Sequence, residues 1–183
     1  VVTGAAGGMG RAITARLLED GLHVVGVDID APALLMMAAD HGAGFSAEAV
    51  DLTDPEAIGD LFDRLVARHG GVDVLINNAG TCFMSDFPDI PAGEFERQMA
   101  VNFGSAFHCC QGAVKAMLGR PGVRKIVNIS SNGAYNFDVF DPPHYRASKA
   151  AMDTLTKDLA RRYAREKIAV NSIAPAMTQT PLF

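Results

Sequence analysis

TGAAGGMG, residues 3–10, follows the apolar pair Val1 and Val2 and runs directly into a helical pattern, RAITARLLED at 11–20. Glycines in this turn remove side chains that would otherwise block the backbone N–H groups at the start of a helix. Such unpaired amides, at the positive end of the helix dipole, favour the binding of a phosphate group. The stretch therefore predicts a strand, a phosphate-binding turn and a helix, in that order.

Downstream of this turn, apolar runs of strand length alternate with longer segments of helical pattern. The runs are LHVVGVD at 22–28, GFSAEAVD at 44–51, VDVLINN at 72–78, KIVNIS at 125–130 and KIAVNSI at 167–173. Several are apolar on both faces, as expected for a parallel sheet that helices cover on each side. We therefore expect an α/β chain with a doubly wound parallel sheet in three layers, which is a Rossmann-type fold.

Local signals mark where several helices begin. Asp30 with Pro32, and Asp54 with Pro55, each combine a capping side chain with a proline that is well suited to a first helical turn. Pro91 precedes one long helical pattern that has no visible break. Because no repeat or linker interrupts the series, residues 1–183 are expected to form a single domain.

Composition and charge narrow the classes of partner. The chain has 183 residues, of which 49% are hydrophobic, and a formal net charge of -5. A negative net charge gives no general attraction to nucleic acid or to an anionic membrane surface. The sequence contains no apolar run of about 18 residues and no charged-then-apolar leader, so we expect no membrane partner. A small molecule is the expected ligand.

The three cysteines are Cys82, Cys109 and Cys110, an odd number of which two are adjacent. This arrangement provides neither a disulfide framework nor the spacing of metal ligands. We therefore expect no metal site and a reducing, cytoplasmic location.

Asp28 ends the second predicted strand, where a carboxylate would accept hydrogen bonds from the ribose hydroxyls of a dinucleotide. A 2′-phosphate there would meet a negative charge, and no Arg or Lys lies in the turn before Gly10 or immediately beyond Asp28. The sequence therefore predicts NAD rather than NADP as cofactor. The alternative for Asp28 is a solvated or helix-capping carboxylate.

Tyr145 and Lys149, in YRASK, stand four residues apart and would share one face of a helix, with Cβ atoms about 6 Å apart. A tyrosine must lose about three pKa units, or roughly 4 kcal/mol, to act as a base near neutral pH. An ammonium group about 4 Å away supplies about that much at an effective dielectric constant near 20. The pair can therefore provide acid/base chemistry, although the same spacing on a helix also occurs by chance.

Together these residues resemble the classical short-chain dehydrogenase/reductase family over nearly the whole chain. The matching pieces, in the family's order, are TGAAGGMG at 3–10, Asp28, DLTD at 51–54, NNAG at 77–80, Asn102 in AVNF, NISS at 128–131, YRASK at 145–149 and NSIAPAMTQT at 171–180. Their order and spacing distinguish the chain from the extended epimerase relatives of this family.

The resemblance implies a role for each of four catalytic residues. Ser131 would hold the substrate oxygen, and Tyr145 would exchange its proton. Lys149 would bind the nicotinamide ribose and lower the pKa of the tyrosine, while Asn102 would seat a water that links the lysine to solvent. Ser130 and Ser131 are adjacent and point to opposite sides of a strand, and alignment with the family's strand selects Ser131.

The same resemblance implies a set of NAD-binding residues. Asp51 would lie at the adenine amino group, and Thr180 at the nicotinamide carboxamide or phosphate. The full predicted set is Gly4, Gly8, Met9, Gly10, Asp28, Asp51, Leu52, Asn78, Ala79, Gly80, Tyr145, Lys149, Pro175 and Thr180.

The resemblance also implies features of the whole assembly. The two long helices that contain Asn102 and Lys149 resemble those that build dimers and tetramers in this family, so we expect a homo-oligomer, a homotetramer for preference. The chain opens within a strand pattern and stops before the family's last strand and substrate lid. We therefore expect residues 1–183 to be an NAD-binding catalytic domain trimmed at both ends.

The segment 132–144, between the serine and the tyrosine, is expected to overhang the active site. Candidate substrate contacts are Tyr135, Phe137, Asp138, Phe140 and His144 in this segment, and Cys82, Phe83 and Met84 after NNAG. The three aromatic residues favour an apolar or ring-bearing substrate, and the two aspartates of the segment disfavour a strongly anionic one. Alternatively, the phenylalanines anchor the loop and His144 is structural.

These observations predict an NAD-dependent enzyme that moves a hydride between nicotinamide and a secondary alcohol or ketone. A catalytically silent NAD(H) sensor on the same fold is the main alternative, but such a protein has no need for Ser, Tyr, Lys and Asn together. A scaffold role in an oligomer is a third reading and is compatible with catalysis.

Overall fold

A computed structural model describes residues 1–136 and 141–178 of the chain. Within these residues the strands are β1 (Val2–Thr3), β2 (Val24–Asp28), β3 (Phe45–Ala49), β4 (Val74–Asn77), β5 (Arg124–Ile129) and β6 (Ile168–Ile173). The helices are α1 (Gly8–Glu19), α2 (Ala31–His41), α3 (Pro55–His69), α4 (Ala92–Met99), α5 (Ser105–Met117) and α6 (Pro143–Tyr163).

The strands form one parallel sheet in the order β3-β2-β1-β4-β5-β6. This is the doubly wound arrangement that the alternating pattern predicted, and each predicted strand run overlaps one of these strands. The strand order reverses between β1 and β4. Such a reversal opens a crevice at the carboxyl ends of the strands, which is where ligands bind in open α/β sheets.

Helices cover both faces of the sheet, and successive residues of one strand contribute to different cores. On β2, Val24 packs with Leu34 and Met37 of α2, whereas Val25 and Val27 pack with residues of α3 and α5. Both cores are buried, so the strands carry apolar residues on both faces, as the sequence pattern indicated.

The predicted capping residues begin their helices. Asp30 accepts a hydrogen bond from the backbone N–H of Ala33 over 3.0 Å, and Asp54 accepts one from Glu56 over 2.9 Å. Gly70 ends α3 in the left-handed conformation, with φ of 73°. Because α2 and α3 follow the carboxyl ends of β2 and β3, these caps lie at the same edge of the sheet as the crevice.

The long helix after Pro91 contains a feature that the sequence did not predict. Residues Ala100–Gly104 form a π-helical turn between α4 and α5, so the helix continues but its register changes. π-turns insert one residue into an α-helix and occur frequently at functional sites. Asn102 lies at the centre of this turn and is buried.

Candidate active site

The glycine-rich turn between β1 and α1 is shaped by contacts that only glycine permits. Gly4 has a positive φ of 62°, and a Cβ atom there would lie 2.8 Å from Ala79 Cα. A Cβ atom on Gly10 would collide with the carbonyl oxygen of Gly4. Helix α1 begins at Gly8, and its N-cap, Gly7, offers no side chain to the first amides. These amides therefore form a cradle for an anionic group.

A cleft of about 890 Å³ lies beside this turn. Its walls come from the turn, from residues that follow β2, β3 and β4, and from α4 and the π-helical turn. Residues predicted to bind a cofactor that line it are Gly4, Gly8, Met9, Asp28, Asp51, Leu52, Asn78, Ala79 and Gly80. The cleft therefore lies where the strand order reverses.

Other predicted cofactor residues lie apart from the lining of this cleft. Gly10 is buried beneath the turn. The carbonyl of Pro175 accepts a hydrogen bond from Asn132 N over 2.8 Å, which joins the segment after β6 to the segment after β5. Thr180 lies outside the described residues.

The carboxylate of Asp28 is fixed at the cleft wall by two backbone amides. Its Oδ2 accepts a hydrogen bond from Ala6 N over 2.9 Å, and its Oδ1 accepts one from Asp30 N over 3.1 Å. The side chain that caps α2 is Asp30. Asp28 therefore braces the glycine turn and presents its charge to the cleft.

Asn78 and Thr3 tie the segment after β4 to the glycine turn. Thr3 Oγ1 accepts hydrogen bonds from the backbone N–H groups of Asn78 and Ala79, both over 3.0 Å. The side-chain amide of Asn78 donates to the carbonyls of Thr3 and Gly4, also over 3.0 Å. The two loops that border the cleft are thus held together by side chains.

Tyr145 and Lys149 lie one turn apart on α6, and Ser131 lies just beyond the end of β5. The side chains of Tyr145 and Ser131 are joined by a hydrogen bond. Lys149 Nζ lies 5.9 Å from the centre of the Tyr145 ring and donates a hydrogen bond to the carbonyl of Ile129 over 2.8 Å. Ser131, Tyr145 and Lys149 are all buried.

The two adjacent serines have different partners. Ser130 Oγ donates to Asp153 Oδ2 over 2.9 Å, at a point further along α6 than Tyr145. Ser131 Oγ, in contrast, contacts Tyr145 and accepts a hydrogen bond from Gly133 N over 3.1 Å. The geometry thus brings Ser131, rather than Ser130, to the tyrosine.

Burial controls the protonation of both residues on α6. Burial raises the pKa of Tyr145, the hydrogen bond from Ser131 opposes this rise, and Cys82 and Asp141 add to it. Burial also lowers the pKa of Lys149 to about 8, although the charge of Asp153 opposes that change. The net shift of the Tyr145 pKa in the chain alone is therefore upward, opposite to the direction expected from Lys149.

Asn102 connects the π-helical turn to the loop after β4 and to α6. Its Oδ1 accepts from Thr81 N over 2.8 Å, and its Nδ2 donates to the carbonyl of Thr81 over 2.9 Å and to Ser148 Oγ over 3.1 Å. A Cβ atom on Gly80 would lie 3.4 Å from Lys149 Nζ and 3.5 Å from Asn102 Oδ1. Asn102 and Lys149 therefore meet at the same glycine.

The predicted substrate contacts after β4 differ in their surroundings. Phe83 lines the cleft, and Cys82 is half-buried, within the electrostatic influence of Asp141 and Lys149. Met84 is exposed. Of these three residues, Cys82 is the one that influences the pKa of Tyr145 and of Lys149.

The predicted contacts after β5 are mainly engaged elsewhere. The hydroxyl of Tyr135 has a hydrogen bond to Asp153. His144 is buried, with Nε2 3.3 Å from Glu94 Oε1 of α4. Phe137, Asp138 and Phe140 lie outside the described residues.

Sequence reasoning missed two charged residues around the site, and it used a third, Asp141, only as one of the two aspartates of the segment 132–144. Asp153 follows Lys149 by one helical turn, and its charge opposes the lowering of the Lys149 pKa by burial. The i, i+4 spacing of the two residues could have indicated this interaction. The pKa of Asp51 is lowered mainly by hydrogen bonds from Thr53. Arg97, which lines the cleft, makes a smaller contribution in the same direction. Asp141 faces Tyr145 and Cys82, and only the folded loop reveals this.

Residues 1–136 and 141–178 contain neither a cluster of metal ligands nor a membrane-spanning helix. No group of three or more His, Cys, Asp or Glu side chains in this part could hold a metal ion. Across the same residues, no helix combines the length and apolar character needed to cross a membrane.

A doubly wound sheet with a glycine-rich turn at its reversal point, and a buried Ser, Tyr and Lys cluster nearby, defines a dinucleotide-binding oxidoreductase fold. The profile of the short chain dehydrogenase family matches residues 1–183, and the chain belongs to that family.

Individual relatives agree with this assignment. D-beta-hydroxybutyrate dehydrogenase of Rhizobium meliloti (strain 1021) is 35% identical over 187 residues, which cover 100% of this chain and 72% of the relative. For 3beta-hydroxysteroid dehydrogenase 1 of Eggerthella lenta, the identity is 35%, over 100% of this chain and 71% of the relative.

A solved structure also matches closely. The 3-ketoacyl-(acyl-carrier-protein) reductase from Brucella melitensis complexed with NADH superimposes with a TM-score of 0.93 at 25% identity, over 99% of this chain and 76% of that one. The chain is therefore an oxidoreductase of a family that acts on alcohol or ketone groups with a nicotinamide cofactor.

Proposed function

We propose that this protein is an NAD-dependent dehydrogenase or reductase that transfers a hydride between nicotinamide and a secondary alcohol or ketone. The observation that carries the proposal is the contact between the side chains of Tyr145 and Ser131, with the ammonium of Lys149 buried beside them. These groups can hold a substrate oxygen and exchange a proton with it.

The residues of the cleft fit a dinucleotide. The uncapped amides at the start of α1 would hold the pyrophosphate, and Asp28 would accept from the ribose hydroxyls of the adenosine half. Asp51 would lie at the adenine, and Lys149 would bind the nicotinamide ribose. When bound, the nicotinamide supplies the hydride donor or acceptor.

Asp28 supports the choice of NAD over NADP. Its two oxygens already accept backbone hydrogen bonds, so its charge is held in place and cannot swing away from a 2′-phosphate. The nearby Arg11 directs its Nε to the carbonyl of Ala6, over 2.8 Å. A phosphate next to a fixed carboxylate would be repelled.

The proton is handled by Tyr145, and its neighbours assist it. A protonated tyrosine is the form needed to donate a proton to a ketone oxygen during reduction. The hydrogen bond from Ser131 lowers the pKa of Tyr145, so it favours the phenolate that alcohol oxidation requires. A positively charged nicotinamide ring would favour the phenolate further.

Asn102 would act as a positioning residue. Its side-chain amide is fully used by Thr81 and Ser148, so it fixes the loop after β4 against α6. The water that would link Lys149 to solvent would be seated at the π-helical turn, where a widened turn frees backbone carbonyl groups.

We also propose that the protein forms a homo-oligomer through the two long helices that contain Asn102 and Lys149, and exposed apolar residues of α4 and α5 support the first of these. Phe95 and Phe107, on these helices, are 48% and 36% exposed, and Phe107 stacks near Phe103 with ring centres 6.0 Å apart. Apolar side chains exposed along one helix pair favour burial against another copy. Sedimentation of the purified protein tests this, and a monomer at all concentrations would contradict it.

The main experiment is a turnover assay with NAD and a panel of polyols, cyclic alcohols, hydroxy acids and hydroxysteroids. Tyr145→Phe should fold and bind NAD but lose turnover by several orders of magnitude, because it lacks the exchangeable proton. Tyr163→Phe, near the end of the same helix, is the matched control and should keep its activity.

Two outcomes would contradict the proposal. Normal activity of Tyr145→Phe would remove the tyrosine from the mechanism. Binding of NAD without turnover of any substrate in the panel would favour the sensor alternative.

A further inference from the structure

A carboxylate that no catalytic role uses lies beside the reacting side chains. Asp141 and Ser131 approach the same glycine, because a Cβ atom on Gly133 would lie 3.1 Å from Asp141 Cγ and 3.4 Å from Ser131 Oγ. A Cβ atom would in fact collide with Asp141 Oδ2. The absence of a side chain on Gly133 thus lets the carboxylate approach the serine that would hold the substrate oxygen.

The charge of Asp141 reaches two other groups of the site. Burial raises the pKa of Cys82 to about 11, and the charge of Asp141 adds to this rise while Lys149 opposes it. Burial likewise raises the pKa of Tyr145, and Asp141 is again one of the groups that add to it. The charge of Asp141 therefore acts on both Cys82 and Tyr145.

The backbone of Asp141 is anchored to the catalytic helix. Arg146, the residue after Tyr145, donates from Nε to the carbonyl of Asp141 over 2.9 Å and from a terminal nitrogen to the carbonyl of Asn136 over 3.0 Å. Because one side chain of α6 holds the loop on both sides of residues 137–140, the position of Asp141 is coupled to that of Tyr145.

The positive charge that faces the same space is Lys149, and it lies deeper. Lys149 is only 4% exposed and its ammonium donates to the carbonyl of Ile129. Asp141 is partly exposed. Asp141 is therefore the more solvent-accessible of these two charged groups.

We propose that Asp141 is a specificity-determining residue, which makes the site select uncharged or cationic alcohols and ketones and discriminate against carboxylates and phosphates. This inference rests on the proposed function, since it assigns a substrate class to the same site. It also separates the chain from D-beta-hydroxybutyrate dehydrogenase, whose named substrate is an anion.

The first test uses two substrates that share a reacting carbon and differ in charge, 3-hydroxybutyrate and its methyl ester. The ratio of kcat/KM for the ester to that for the acid should be high in the wild type. It should fall by about tenfold in Asp141→Asn, because a nearby charge repels the acid. Asp60→Asn, an exposed carboxylate on α3, is the matched control and should leave the ratio unchanged.

The second test needs no turnover. Cys82 is half-buried next to Asp141, whereas Cys109 and Cys110 are buried in the core. Rates of alkylation of Cys82 by neutral iodoacetamide and anionic iodoacetate, read by mass spectrometry, report the potential at the site. Relative to free cysteine, the wild type should disfavour iodoacetate, and Asp141→Asn should reduce that preference by several-fold.

The two tests separate the inference from the proposed function. A reagent preference that is the same in Asp141→Asn and wild type would overturn the role of Asp141, even in an active enzyme. An unchanged ester-to-acid ratio would do the same. A shifted reagent preference in a protein that turns over no alcohol would support the electrostatic selection and contradict the proposed activity.

Discussion

The ammonium of Lys149 donates a hydrogen bond to the carbonyl of Ile129 over 2.8 Å, in a site where the lysine side chain is almost completely buried. Burial lowers the pKa of Lys149 to about 8, against 10.5 for an ordinary lysine. The unfolded chain therefore binds this proton more strongly than the folded chain does, and placing the charge in the site opposes folding.

Replacement of this lysine by an apolar residue should change the pH dependence of stability. Between about pH 8 and 10.5 the folded wild type loses the proton of Lys149 while the unfolded chain retains it. The free energy of unfolding of the wild type should therefore rise with pH by about 2 to 3 kcal/mol relative to that of Lys149→Met. Below pH 8 the cost is fully present, and the variant should be at least as stable as the wild type while inactive. Urea unfolding at pH 7 and pH 10 measures this difference.

Lys157→Met, on an exposed part of the same helix, is the control for a general effect of lost charge. If this variant shows the same pH dependence as Lys149→Met, burial of Lys149 is not the cause.

Asp28 should determine the preference between NAD and NADP. We expect at least a tenfold preference for NAD in the wild type, and a loss of most of that preference in Asp28→Asn, since the amide has no charge to repel a 2′-phosphate. Calorimetric titration with both dinucleotides measures the ratio. Asp30→Asn, which retains an oxygen to cap α2, should behave as the wild type, and equal wild-type affinities would exclude this role for Asp28.

Substitutions at Gly4 and Gly21 can separate the effect of a distorted glycine-rich turn from the effect of backbone strain. Both have positive φ, of 62° and 80°, so alanine costs each about 1 kcal/mol of stability. A Cβ atom on Gly4 would press on Ala79 Cα, whereas nothing lies within 4 Å of one on Gly21. Gly4→Ala should therefore weaken NAD binding by about tenfold or more, because the turn must move. Comparable dinucleotide affinities for the two variants would argue against this.

Asn128 joins the sheet to α6 through a buried amide network. Its Oδ1 accepts from Asn77 Nδ2 and its Nδ2 donates to Thr156 Oγ1, each over 2.8 Å. Asn128→Leu should lower the free energy of unfolding by about 2 to 4 kcal/mol, because it leaves buried polar groups without partners. The denaturation midpoint should shift at constant slope. Asn171→Ala, at an exposed position on β6, should shift it little.

Features of the fold that depend on local chemistry were predictable from the sequence. Asp30 and Asp54 cap helices with their own side chains, and Gly70 ends one, so neighbouring residues carry these signals. The parallel sheet was predictable from the apolar runs, because the sequence of each strand by itself shows that both of its faces are apolar. The glycine-rich turn was also predictable, because a side chain on Gly4 or Gly10 would collide with neighbouring backbone atoms.

Features that depend on tertiary packing were not predictable. The direction of the Tyr145 pKa shift follows from how deeply α6 is buried, whereas the i, i+4 spacing suggested only the influence of Lys149. The proximity of Asp141 to Ser131 requires the loop to return over Gly133. The hydrogen bond from Ser130 to Asp153 joins two elements that are distant in sequence, so strand alternation alone could not indicate it.

The π-helical turn at Ala100–Gly104 changes the helical register of every residue that follows it in the long helix. One extra residue rotates everything beyond it by about 100°, so α4 presents its side chains to the cleft while α5 presents Cys109 and Ala113 to the core. Deletion of one residue from Ala100–Gly104 would restore a regular α-helix. Either the face of α4 that lines the cleft or the face of α5 that packs in the core would then point elsewhere. The length of this segment is therefore as constrained as the identity of Asn102, and point substitutions alone would not reveal that constraint.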